Sequence, residues 1–130
     1  MLFRVLRLVV LTGMLTACVW GNAEITPDKL VGNTVILTLE TGAFPSSGIA
    51  LQFVSSKDLV WRLEGNLGLQ TGSSDYLVSM VNDNTMLITW RSEQERHSYV
   101  LTLNFHNEMC FLVRIDQGKN LLSTGVFTFE

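Results

Sequence analysis

The reactive groups in this chain are few, and their spacing restricts what they could do. His97 and His106 are the only histidines. Both fall at turns, beside Glu and Asn, where exposed imidazoles are expected rather than metal ligands. Ser46, Ser47, Ser73 and Ser74 lie in turn-type clusters with no His or Asp at a fixed offset, which leaves a serine nucleophile without a base. Gly65, Gly68 and Gly72 precede no helix, so they do not make a phosphate loop. Glu93 and Glu95 sit two apart at a hairpin tip, where solvated carboxylates are expected. No catalytic set, metal set or cofactor site is therefore expected. The aromatic residues say more. Trp61, Tyr76 and Trp90 each lie inside a β-patterned segment, where a ring is either core or the wall of a pocket. In a ligand-holding barrel these are the same surface.

The two cysteines have different surroundings. Cys18 closes the run Leu15-Thr16-Ala17-Cys18, which follows Arg4, Arg7 and a short uncharged apolar stretch. A basic start, an apolar stretch and small residues make a secretory signal. Arg7 leaves the stretch shorter than the roughly 20 apolar residues a spanning helix needs. The run resembles a bacterial lipobox, in which the cysteine is acylated and becomes the new N-terminus. This implies a signal peptide over residues 1–17, an anchor linker over 18–25 and a domain over 26–130. Val19, and not Asp, follows the cysteine, which resembles outer-membrane sorting with the domain facing the periplasm. The alternative is cleavage after Ala23, giving a soluble periplasmic or secreted protein. Cys110 lies in Met109-Cys110-Phe111-Leu112-Val113, where a buried thiol is expected.

A chain of 130 residues supports a single domain. With 47% apolar and only 16% charged residues it is not intrinsically disordered. The net charge is −3, and loss of Arg4 and Arg7 makes it more acidic still, so a nucleic-acid backbone is not an expected partner.

The elements that position these residues have period two almost throughout. Ile25–Gly32 reads as one short helical turn, with Thr26 as a cap, Pro27 at the first position and Gly32 at the end. After it come eight alternating runs: 34–40, 49–54, 59–63, 75–81, 86–92, 98–105, 109–115 and 125–129. They are rich in Val, Leu, Ile, Thr and aromatics, and Gly, Ser, Asn and Asp clusters separate them. Eight sequential strands with apolar faces predict an all-β fold, an eight-stranded antiparallel up-and-down barrel, because closure removes exposed edges. Alternation puts Arg62 and Arg91 on the face opposite Trp61 and Trp90, leaving a lumen without charge.

The ordered set Leu30-Val-Gly-Asn-Thr34, Glu40-Thr-Gly42, Val60-Trp-Arg62, Asp75-Tyr-Leu-Val78, Leu87-Ile-Thr-Trp90 and Tyr99-Val-Leu101 resembles the MoaF-like proteins. These are lipocalin-like (calycin) barrels related to phenolic acid decarboxylases. The resemblance implies lumen positions at Leu37, Leu39, Trp61, Trp90 and Ser92, to which the strand aromatic Tyr76 adds a sixth. It does not carry the decarboxylase chemistry. Leu37 and Leu39 stand where that family has two tyrosines, Ser92 stands where it has an acid, and residues 67–71 lack its Gly-Arg-Trp segment. The expected function is non-catalytic binding of a small apolar or aromatic molecule by a lipid-anchored barrel. The alternative is a filled barrel that meets a protein partner through the loops at 42–48 and 65–74. If the lipobox is used, Cys18→Ala leaves an unprocessed precursor or releases soluble protein. Unchanged membrane retention and unchanged mass in that variant would rule it out.

Overall fold

The computed structural model describes residues 24–42, 48–65, 68–93 and 96–130. Residues 1–23, 43–47, 66–67 and 94–95 lie outside them, and with them the signal peptide expected over 1–17 and Cys18. A single 3₁₀ turn, Pro27–Lys29, leads into eight strands: β1 Thr34–Gly42, β2 Gly48–Phe53, β3 Asp58–Gly65, β4 Gly68–Asn82, β5 Thr85–Ser92, β6 His97–Asn104, β7 Met109–Asp116 and β8 Lys119–Phe129. Each pairs antiparallel with its sequence neighbour, and β1 also pairs with β8, closing the barrel in meander order.

Alternation makes the core. In β5, Met86, Ile88, Trp90 and Ser92 are buried while Arg91 is exposed. Val35, Leu37 and Leu39 do the same in β1, and Ile49, Leu51 and Phe53 in β2. Burial of one such aliphatic or aromatic side chain stabilises the fold by about 1.5–3 kcal/mol. One end is sealed. Leu30, Phe53, Met86 and Leu103 are fully buried there. The rings of Phe105, Phe127 and Phe129 pack edge-on and stacked with centroids 5.2–6.2 Å apart. The Lys29 ammonium lies 5.4 Å from the centroids of Phe105 and Phe129, an attraction between a cation and the ring faces.

The structure corrects the sequence reading in three places. The Gly- and Ser-rich stretch 68–74 is not a loop but the first half of β4, held by β3 in a register that sets Trp61 opposite Gly72 and Leu59 opposite Ser74. β8 begins at Lys119 and not near 125, because Gln117 and Gly118 adopt φ of 36° and 88°. Such a left-handed pair makes a tight hairpin whose twist matches the strands. Thr26 precedes the 3₁₀ turn in extended conformation, but its hydroxyl makes no capping hydrogen bond.

Closure makes a strict demand at Gly125. A Cβ there would overlap the Thr38 carbonyl oxygen and lie 2.8 Å from Leu39 Cα, both backbone atoms that cannot swing away. Gly125→Ala is therefore expected to pry β8 from β1 and lower stability by about 1–3 kcal/mol. Urea denaturation checks this; an unchanged midpoint would show that the seam tolerates a methyl group.

Candidate functional site

The described interior is solid over most of its depth. Leu37, Leu51, Ile88, Leu101 and Leu112 have no exposed surface. The remaining space lies toward the open end, where rings replace aliphatic side chains. A void of about 10 Å³ is bounded by Ile49, Leu51, Trp61, Leu63, Trp90 and Tyr99, room for one water at most. Trp90 and Tyr99 face each other across β5 and β6, stacked with centroids 5.0 Å apart. On the other side of Trp61 a cleft of about 510 Å³ opens between Gly72 and Ser92. Trp61 borders both spaces and so divides them.

Register explains the cleft. The ladder between β4 and β5 runs only as far as Tyr76 opposite Trp90. Beyond it, residues 68–75 of β4 pair with β3, and Arg91 and Ser92 of β5 pair with β6. Gly72 is the strand position over which the Trp61 ring lies, since a Cβ there would fall 2.5 Å from Trp61 Cε2. The ring atoms nearest that Cβ are Cζ2, Cε2 and Cη2, so it is the six-membered ring of the indole that packs over Gly72. Trp61 is 5% exposed, and its Nε1 is buried with no hydrogen-bond acceptor among the described residues. A buried donor left unsatisfied costs about 1–3 kcal/mol, and such donors are rare in folded proteins.

Polar groups ring the mouth. Ser92 is buried. The exposed Arg62 and Arg91 pair with Glu64 at 3.0 Å and Glu93 at 3.9 Å. His97 Nδ1 lies 3.3 Å from Asp116 Oδ1. Arg114 corrects the expectation of an uncharged lumen: it shares the inward parity of Cys110 and Leu112, is half-buried, and sits opposite Tyr99.

The six expected lumen residues divide. Leu37, Leu39, Trp61, Tyr76, Trp90 and Ser92 are all buried. Trp61 and Trp90 border the void, and Trp61 and Ser92 border the cleft. Leu37 belongs to the solid part. Tyr76 leans toward the sealed end, where its ring packs edge-on against Phe53 at 5.0 Å and its hydroxyl donates to the Ser55 carbonyl at 2.7 Å. Burial, with a smaller contribution from the Asp58 carboxylate, raises its pKa. Sequence reasoning missed Tyr99 and Gly72. Tyr99 was within reach, since it has the parity of the buried Leu101 and Leu103, whereas Gly72 becomes meaningful only once the β3–β4 register is known.

An antiparallel meander closed on itself, sealed at one end and aromatic at the other, defines the class of lipocalin-like β-barrels. Residues 13–115 match the MoaF N-terminal domain, and the chain belongs to that family. No curated protein matches it. Among solved structures it is similar to a protein from Burkholderia vietnamiensis provisionally described as a beta-lactamase, with a TM-score of 0.66 and 13% identity over 78% of this chain and 95% of that one. The likeness is one of fold.

Cys110 is fully buried, and its thiol lies 3.6 Å from the Val126 carbonyl oxygen. Burial pushes its pKa up from 9.0 to about 11. The buried thiol stays neutral when the unfolded chain would ionise, so the stability it contributes is complete below pH 9 and declines as pH rises toward 11. Urea midpoints are expected to fall across that interval, and Cys110→Ala to lose this part of the slope. An identical slope in both proteins would assign the pH dependence to other groups.

Proposed function

We propose that this MoaF-family barrel is a non-catalytic binding protein that holds one small, uncharged, largely aromatic molecule at the mouth of its upper lumen, beside Trp61 where the cleft of about 510 Å³ opens. The observation that carries this reading is the aromatic wall at the open end, interrupted by a void and a cleft that the Trp61 indole separates. Apolar walls with a few polar groups are the usual make-up of small-molecule sites. The space lies nearer the mouth than Leu37, so a ligand would be shallow. Leu37, Leu39 and Ser92, at positions where related decarboxylases resemble one another in carrying tyrosines and an acid, favour binding without turnover. The lipobox-like Leu15–Cys18 run supports attachment to the outer membrane through acylated Cys18, with the barrel on the periplasmic side.

The test is binding of a neutral apolar fluorophore, N-phenyl-1-naphthylamine, to the full chain carrying Trp20→Phe, so that indole emission comes from Trp61 and Trp90. Micromolar affinity, roughly −8 kcal/mol, with quenching of that emission is expected. Absence of both binding and quenching would sink the reading.

One observation favours a second reading, in which the barrel is filled and a protein partner covers its outside. The outer face of β7 and β8 exposes Phe111, Leu122 and Val126 at 40%, 51% and 38%, and contiguous apolar surface of this kind marks interaction sites. On that reading Leu122→Glu abolishes partner capture and leaves fluorophore binding untouched.

A further inference from the structure

We infer that the molecule held in the upper lumen carries a neutral hydrogen-bond acceptor, a ketone- or amide-type carbonyl, which receives the Trp61 Nε1 proton at the inner end of the cleft between β4 and β5. The inference rests on the binding-barrel reading and adds the chemistry of recognition.

Three independent features meet at this point. Trp61 Nε1 is buried and has no acceptor among the described residues, although buried polar groups are nearly always paired. The six-membered ring of the same indole packs over Gly72, where a side chain would displace it. Trp61 borders the cleft where β4 and β5 no longer share backbone hydrogen bonds, so a ligand can approach the indole without breaking a ladder.

The chemistry of the surroundings selects a neutral acceptor over an anion. An indole N–H is an uncharged donor and compensates poorly for burying a carboxylate. Of the described residues that line the cleft, the one ionisable group is the carboxylate of Glu93, which does not favour an anion there. Arg114 already has a partner within the protein. A flat aromatic carbonyl compound fits these conditions: its ring lies against Trp61 in the cleft of about 510 Å³, and its oxygen takes the orphaned proton.

Matched probes test this. Naphthalene, 2-acetylnaphthalene and 2-naphthoate share a ring system and differ in carrying no acceptor, a neutral acceptor and a carboxylate. The full chain is expected to bind the ketone about three- to tenfold more tightly than naphthalene, the factor one net hydrogen bond supplies. Trp61→Phe should erase that preference while leaving naphthalene affinity nearly unchanged. Should Trp61→Phe fail to fold, the ¹⁵N-labelled Trp20→Phe chain provides the same answer, because the ketone and not naphthalene should shift the Trp61 indole N–H resonance downfield. Equal affinity for ketone and naphthalene, with no such shift, overturns the inference and leaves the binding reading standing, the N–H then being hydrated. Tightest binding of naphthoate overturns the neutral-acceptor assignment. Binding of none of the three removes both readings together.

Discussion

Closure of the sheet by β1 against β8 is the constraint on which the rest of this molecule depends. An eight-stranded barrel has an interior only wide enough for side chains or for one small ligand. Once the seam between Val35–Gly42 and Ser123–Phe129 forms, every inward residue competes for the same narrow column. Aliphatic side chains from six strands fill most of it without residual exposure. Three glycines among the described residues, Gly42, Gly72 and Gly125, mark where space runs out altogether. Gly125 lets the β1 backbone approach β8, and Gly72 lets the Trp61 ring lie against β4.

The same constraint explains why the open end differs from the sealed one. Phenylalanines, Leu30 and the 3₁₀ turn close one end, with the Lys29 ammonium lying over the rings of Phe105 and Phe129. At the other, flat rings replace branched aliphatics, and a flat ring leaves gaps beside its edge that an isobutyl group does not. Trp61 sits at the junction of such a gap with the outside. In the proposed account, that indole is both the wall between lumen and cleft and the donor that selects the ligand.

Much of this was legible in the sequence. The period-two runs at 34–40, 86–92 and 98–105 place their buried residues correctly because alternation is a local property of extended backbone. The stretch 68–74 was not legible, because Gly and Ser favour turns by local preference and became strand only through pairing with β3, a long-range contact that overrides propensity. Arg114 was available by the same parity that buries Cys110 and Leu112. The void, the cleft and the unpaired Trp61 N–H depend on where β4 changes partners, which no local pattern encodes. The MoaF resemblance carried by Val60-Trp-Arg62 and Leu87-Ile-Thr-Trp90 is matched by family membership over residues 13–115.

The central claim is that the aromatic upper lumen is a binding site and not merely the end of a packed core. Native mass spectrometry of the protein purified from its own cell envelope addresses it most directly. The account predicts a native mass greater than the denatured mass by one small neutral molecule, whose presence is lost when Trp61 is replaced by Ala in a chain that still folds. Identical native and denatured masses, from material never exposed to extracting solvent, would contradict it.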